Sequence, residues 1–501
     1  MERLLNHIER IGNKLPHPFI LFIILALFVI VISAGLSALG ASATHPKTDA
    51  VVYVNNLLSA AGIRFMLEEM VNNYMRFPPL GMIIVSLFGI GLADKVGFLP
   101  VLIKTSVTKA PKSIVTFIVF VVGISGSIAS DAVFIILPPL VAMIYHSLGR
   151  HPIAGAAAAY AGASAGYDAS LFITPTDAVL SGITTEAARL LNPDAYVSPL
   201  DNYFFTLSSV LILATVGTLL IDKFIEPRLN RTLKIDDSPM AQTTFTAVTP
   251  AEIKAMKHTG LMALAYVALV ILALLPSQSP LRNDDGGLIP STFSRAFIPI
   301  LFGFFMTIGI SYGRRIGTIK QLRDIPAYMA EAIKALAPTL VLFFVIAQFL
   351  AYFRWSNLGQ LIAINGSIFL EHTGFQGYPL ILSFILLSAS MNIFMTSGSA
   401  QWSLMAPIFV PMLMLLDYNP AFVLAMYRIG DSTTNIISPM SAYFAVVLVF
   451  MQNYKKDMGI GSLLSIMLPI SLSFLLIWSA FLCLWVLLGL PLGPGVYMMT
   501  N

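Results

Sequence analysis

Arg428 and Asp431 stand eight and eleven residues into an apolar run that starts at Pro420, roughly 12 and 16 Å deep at helical rise. Charges held at that depth in hydrocarbon cost at least ~2.5–3.5 kcal/mol each and are kept mainly for function. At i,i+3 the two can simply pair with each other. The residues that follow, Ser432-Thr433-Thr434-Asn435, add four hydroxyl or amide groups that a self-satisfied pair does not need. The chemistry this suggests is an arginine receiving a carboxylate and an aspartate holding a cation or a proton. Asn392, Ser397, Ser399 and Trp402 gather at a second polar point, where the indole either packs or stacks on an aromatic ligand. Ser125, Ser127, Asp131, Asp168 and Asp177 form the matching group in the first half. Asp177 directly follows Thr174-Pro175-Thr176, where helix geometry must break. Asp131 equally suits a position facing the cytoplasmic vestibule. Ser125, Ser127, Asn392 and Asp431 are the candidate Na⁺ ligands. His146, His151 and His372 have no metal-ligand spacing, which argues against a metalloenzyme.

The elements around these residues are membrane spans. Of the 501 residues, 57% are hydrophobic and 11% charged, where a soluble domain carries roughly 25% charged residues. Apolar runs long enough for a ~30 Å hydrocarbon core recur along the chain. A disordered chain, a disulfide scaffold and a nucleic-acid binder are excluded. Full spans are expected near 18–43, 79–99, 153–184, 202–222, 258–276, 296–312, 332–353, 420–450 and 462–488. Two further apolar stretches, 113–145 and 376–416, carry small-polar breaks at Ser125-Gly126-Ser127 and Ser397-Gly398-Ser399. Their short arms suit re-entrant hairpins, with two ordinary spans joined by a tight turn as the other reading.

Charge sorting favours the hairpins. With both stretches re-entrant, 21 of the 29 Lys and Arg fall on the side of the N-terminus and 7 on the other. Making just one of them a full crossing spoils that sorting, so the N-terminus is expected in the cytoplasm of an inner-membrane protein. The fold class expected is an all-α polytopic membrane protein, with nine transmembrane helices plus two re-entrant hairpins in an inverted repeat. Segment 223–257 reads as a cytoplasmic linker, and 58–70 as an amphipathic interfacial helix. Cys483 has no partner for an internal disulfide, and the Ala/Gly/Ser run Ala154 to Gly166 reads as close helix packing.

The repeat is visible in the spacing. Eleven residues separate Ser127 from Pro139, and eleven separate Ser399 from Pro411. Each hairpin leads through a proline, Pro152 or Pro420, into an interrupted span. Eight residues lie between Gly166 and Pro175 in one interruption, and eight between Gly430 and Pro439 in the other. The first hairpin enters from the cytoplasm and the second from outside, so the halves are inverted, an architecture of alternating-access carriers. Backbone groups freed at tips and breaks are tolerated only around a cavity or a ligand. Pro175 and Pro420 are the candidate hinges.

SGSAQW at Ser397–Trp402, YRIGDSTTNIISPM at Tyr427–Met440 and AGYDASLFITPTD at Ala165–Asp177 resemble the p-aminobenzoyl-glutamate transporter (AbgT) family over essentially the whole chain. The family belongs to the wider ion-transporter group that includes the dicarboxylate/Na⁺ symporters. The resemblance implies a homodimer of protomers with separate pathways, each with a dimerising scaffold and a core that carries the hairpins. It implies Na⁺ or H⁺ as coupling ion, no other cofactor, and p-aminobenzoyl-glutamate-like aromatic carboxylates as substrates, with sulfonamide antimetabolites exported by some members. Its functional positions fall on Asp177, Asn392, Ser399, Trp402, Pro420, Arg428, Asp431 and Pro439. The organisation expected is 1–112 and 202–353 as scaffold and central spans, 113–201 and 354–453 as the two halves of the core, and 454–501 as a last span.

Three alternatives stand beside this reading. One is a Na⁺-coupled carrier of other organic anions, and another is a passive channel, which two broken-helix hairpins disfavour. The third is an intramembrane aspartyl protease, suggested by Tyr167-Asp168 and Gly430-Asp431. A neighbouring arginine would hold Asp431 ionised, whereas an aspartyl dyad needs a shared proton.

Overall fold

A computed structural model describes residues 16–129, 132–233, 248–283, 286 and 291–500. Asp131, the first fifteen residues and most of the middle of the linker lie outside these residues. The described residues are mostly helical, and ten helices among them are long and apolar enough to cross a membrane, two of which, Lys112–Ala129 and Gly398–Leu415, are arms of the stretches read as hairpins. The helices are α1 Pro18–Ala38, α2 Ala60–Glu68, α3 Met70–Met75, α4 Pro78–Lys95, α5 Phe98–Thr108, α6 Val115–Ser125 and α7 Ala132–Ser147. They continue with α8 Pro152–Ala165, α9 Pro175–Ala188, α10 Tyr203–Leu220, α11 Glu226–Thr232, α12 Pro250–Leu274, α13 Thr292–Arg295 and α14 Phe297–Ile316. The last seven are α15 Asp324–Trp355, α16 Leu358–His372, α17 Tyr378–Asn392, α18 Gly398–Leu415, α19 Pro420–Thr433, α20 Ala442–Gln452 and α21 Ile460–Leu487. A two-stranded antiparallel ribbon, β1 Ser42–Thr44 with β2 Val51–Tyr53, is the one sheet among the described residues.

Both short-armed stretches double back. Thr116 near the start of α6 lies 2.6 Å from the Tyr145 hydroxyl near the end of α7. Arg150, just past that end, donates to Thr116 at 2.9 Å, so the two ends of the first hairpin lie side by side. In the second, the N–H of Gly377 at the start of α17 donates to the hydroxyl of Tyr418, just beyond α18, at 3.0 Å. Proline recurs inside the returning arms, Pro138 and Pro139 in α7, Pro407 and Pro411 in α18.

Two elements of the repeat escape the hydropathy reading. A short helix precedes each hairpin, α5 in the first half and α16 in the second, and each starts after a left-handed residue, Gly97 at φ 94° and Asn357 at φ 62°. Neither helix is long enough to register as a span, and the loops drawn there in the sequence are in fact helical. The long helix α10 passes through a π-turn at Ile221–Ile225 and runs on as α11, ten residues into the segment read as linker. The π-turn sets Asp222 and Glu226 against Arg150, with Asp222 at 2.6 Å, and ties the base of the first hairpin to α11.

The interrupted spans are two-part helices. α8 ends at Ala165, and α9 begins at Pro175, whose missing N–H is harmless in a first turn. α19 ends at Thr433 and α20 begins at Ala442. Every side chain of α8 is buried, as its Ala/Gly/Ser composition permits.

Candidate functional site

The two breaks lie against each other. The N–H of Asp168 in the first break donates to Ser432 Oγ at 3.0 Å, and that hydroxyl donates to Asp168 Oδ2 at 3.1 Å. Arg428 does not pair with Asp431. Its guanidinium crosses to the other repeat, 2.7 Å from Asp177 Oδ1 and 3.9 Å from Asp168 Oδ1. Asp177 is held for this by a capping box: its Oδ2 accepts from the Thr174 N–H at 2.7 Å and the Thr174 hydroxyl at 2.8 Å.

Asp431 therefore has no guanidinium of its own. The carboxyl groups of Asp168 and Asp431 face each other within hydrogen-bonding reach, and Oδ1 of each is buried without a partner. Ionised carboxylates can only accept, so neither can donate to the other, and the Ser432 hydroxyl on Asp168 Oδ2 leaves both Oδ1 atoms open. Three aspartates, Asp168, Asp177 and Asp431, share one arginine at this point.

Asn392, at the end of α17, donates through Nδ2 to the Asp431 carbonyl, to Thr434 Oγ1 at 3.0 Å and to Asn435 Oδ1 at 3.1 Å. Its own Oδ1 is buried and unpartnered. Gly398 at the second tip is required by proximity, because a Cβ there would sit 2.5 Å from Asp431 Oδ2. Ser125 and Ser127 remain with the first hairpin: Ser125 Oγ accepts from the Leu171 N–H at 3.4 Å, and Ser127 donates to the Ile124 carbonyl at 3.4 Å. The four candidate Na⁺ ligands thus form two pairs, one beside each break.

A cavity of about 800 Å³ reaches this junction. Tyr167, Thr176, Ser397, Ser399, Asp431 and Asn435 line its deep end, and Asp94 and Lys95 its other end. Trp402 and Arg428 are not in its wall. Trp402 is fully buried, stacks on Tyr427 with centroids 4.4 Å apart, and donates to Thr184 Oγ1 at 2.9 Å. The aromatic partner of the indole is thus a residue of the chain, and the carboxylate partner of Arg428 is Asp177. Pro175 and Pro420 each open a helix, and Pro439 lies in a turn within the second break. Asp168 and Thr184 are the site residues the sequence undervalued. The Asp168 signal was its place in the first break, opposite the Asp431 break in the repeat.

The AbgT transporter family matches residues 3–500. The chain belongs to that family. It is 40% identical over 496 residues to the p-aminobenzoyl-glutamate transport protein of Escherichia coli K12, covering 99% of this chain and 97% of that protein. The structure is similar to that of Neisseria gonorrhoeae MtrF, which illuminates a class of antimetabolite efflux pumps. The TM-score is 0.93 at 40% identity, over 98% of this chain and 100% of the other. It is also similar to the Alcanivorax borkumensis YdaH transporter, with a TM-score of 0.91 at 37% identity, over 96% and 100%. This AbgT chain is accordingly a multi-span membrane transporter of a small molecule and not an enzyme, which removes the protease alternative.

Proposed function

We propose that this AbgT chain is a cation-coupled secondary transporter of p-aminobenzoyl-glutamate-like aromatic carboxylates, with sulfonamide antimetabolites as further cargo. One observation carries the coupling: Oδ1 of Asp168, Oδ1 of Asp431 and Oδ1 of Asn392 are each buried without a hydrogen-bond donor beside a cavity that can admit a cation. A proton shared by the two carboxyls, or a Na⁺ between them and Asn392 Oδ1, supplies the missing positive charge. The site's anionic excess then makes cation entry and organic-anion entry mutually favourable, which is the physical content of coupling. The substrate class rests on the relatives, and the deep cavity wall of Tyr167, Thr176 and Ser399 offers a ring surface and hydroxyls to such a molecule.

In the same reading the two doubled-back stretches are re-entrant, the N-terminus is cytoplasmic in the inner membrane, and the described cavity opens to the cytoplasm. The core is 113–201 with 354–453, carried by scaffold 1–112 and 202–353 and closed by 454–501, and Pro175 and Pro420 are its hinges. The homodimer belongs to this reading; α12 buries only Ala255 and Thr259 within the chain, which leaves its other faces to lipid or a partner protomer. Flux of labelled p-aminobenzoyl-glutamate in proteoliposomes, with Na⁺ and pH gradients imposed separately and in both directions, tests the proposal. Accumulation driven by one gradient and exchange driven by unlabelled substrate support it. Non-saturating flux with no response to either gradient refutes it.

A further inference from the structure

A second, smaller cavity of about 250 Å³ lies at the opposite end of the same helices. α9 and α15 line both, and α4 lines the large one and begins just past Phe77 of the small one. On α9, Thr176 and Val179 face the large cavity, and Glu186, with Arg189 just past the helix end, faces the small one. On α15, Ala335 and Thr339 face the large cavity, and Ala347 and Arg354 face the small one. On α4, Ile83 and Ile90 belong to the large cavity, and its N-cap Phe77 to the small one. The two spaces are therefore stacked on one three-helix seam. Thr339 to Ala347 is roughly 12 Å of helix, so the partition between them is about two turns thick. It is apolar and closed: Leu180, Ile183 and Phe343 are fully buried, and Phe77 meets Phe343 edge to face at 5.4 Å.

The charges of the small cavity are mainly basic, with Arg76 and Arg354 exposed. Arg76, Arg189 and Arg354 outnumber Glu69 and Glu186. Arg354 is paired with Glu186, which joins α15 to α9 across the cavity. Arg189 donates to the Ala195 carbonyl at 3.1 Å, and both it and Arg354 sit at helix C-termini, where a cation offsets the dipole. Arg76 has no ion-pair partner among the described residues; it is the exposed C-cap residue of α3 and stands two residues before the start of α4.

We infer that the small cavity is the far mouth of the transport pathway, a subsite where Arg76 receives a carboxylate of an organic anion, latched shut by the Glu186–Arg354 pair. The identity of that anion rests on the substrate reading above; the vestibule itself does not. In the proposed orientation this mouth is external. With α9 in the core and α15 in the scaffold, opening it requires parting Glu186 from Arg354 and Phe77 from Phe343.

Thiol labelling in proteoliposomes tests this, in a Cys483→Ser background that removes the single native cysteine. Asn72→Cys reports on the vestibule wall and Ala351→Cys on the space behind the latch, with anionic and cationic methanethiosulfonates added outside. Asn72→Cys is expected to react faster with the anionic reagent. Arg76→Gln should cut that preference by about three- to five-fold, the order of one screened charge contact, and Arg76→Lys should keep it. Glu186→Gln should speed labelling of Ala351→Cys, and p-aminobenzoyl-glutamate should slow labelling of Asn72→Cys. Equal rates with both reagents, or a Glu186→Gln variant that labels at the parental rate, overturn the inference. If the preference and its Arg76 dependence hold while p-aminobenzoyl-glutamate is neither transported nor protective, the vestibule stands and the substrate reading fails.

Discussion

Arg428 offers the sharpest test of how the site is built. Its guanidinium is buried, with Asp177 at 2.7 Å and Asp168 at 3.9 Å, each in the other repeat. Replacing it by methionine keeps volume and removes the charge, which leaves two buried carboxylates without their cation. Breaking a buried pair in this way costs about 3–5 kcal/mol, because the orphaned charge stays desolvated. Asp177 is partly protected, since Thr174 still donates to its Oδ2 twice, so the lower end of that range is expected. Asp177→Asn keeps an acceptor for Thr174 but leaves Arg428 only Asp168 at 3.9 Å, at a cost again toward the lower end of that range. The double variant Arg428→Met/Asp177→Asn removes both partners of the closer pair and leaves only Asp168 without its cation, so it should be less destabilised than the sum of the two by about 2–3 kcal/mol.

Thermal unfolding of the detergent-solubilised protein, followed by tryptophan fluorescence, reads this out. Roughly 2.1 cal/mol/K per residue makes 1 kcal/mol worth about 1 °C in a chain of this length, so each single variant should lose about 3–5 °C. Transport by the double variant then separates two roles: retained flux makes Arg428 a clamp between repeats, and lost flux with restored stability makes its charge part of the transport cycle. Strict additivity of the two single losses would refute the pairing itself.

Asp431→Ala should abolish transport while the protein stays monodisperse and folded, and wild-type flux in that variant would remove Asp431 from the coupling site. Asp168→Asn should abolish the dependence on the driving cation while leaving unlabelled-for-labelled exchange measurable, which gradient-driven and exchange assays separate. Gly398→Ala places a Cβ 2.5 Å from Asp431 Oδ2 and should reduce flux at least ten-fold, ~1.4 kcal/mol of distortion at the site being enough. Outside the spans, burial raises the Asp201 carboxyl from its ordinary 3.8 to about 7, although the Ser198 N–H opposes the rise. The folded chain holds that proton more tightly than the unfolded chain, so stability falls as pH climbs from about 4 through about 7; Asp201→Asn should raise the Tm at pH 8 and leave it unchanged near pH 4.

The sequence displays best what is local and long. Apolar runs mark most spans, because crossing a bilayer demands length, and the breaks declare themselves through Gly, Ser and Pro. The short helices α5 and α16 were missed because eleven and fifteen residues of mixed polarity carry no hydropathy signal of a span. Partners were less legible than elements. Arg428 and Asp177 are 251 positions apart, so the sequence offered only the i,i+3 neighbour Asp431 as a protein partner, beside a substrate carboxylate. Only three-dimensional packing puts Thr184 under Trp402 and Tyr427 beside it, turning an indole proposed for the ligand into a contact between core segments. Both cases have one physical origin: a buried polar group must find a partner, and the sequence names the need without naming the partner.

Those partners follow a rule of their own. Each repeat satisfies the groups that the other leaves open at its break. The N–H of Asp168, freed where α8 ends, is taken by Ser432 of the second repeat. The guanidinium of Arg428, stranded in α19, is taken by Asp177 at the start of α9. The Trp402 indole of the second hairpin is taken by Thr184 of the same α9. Separating the repeats would expose all three needs at once in a medium with no water to meet them, at about 1–3 kcal/mol for each neutral group and more for the charges. In the proposed reading the two halves of the core therefore move together, and the partition that opens for transport is the apolar one against α4 and α15. That partition is Phe77 on Phe343 with Leu180 and Ile183 behind it, whose contacts are non-directional and can be exchanged for others as the core shifts.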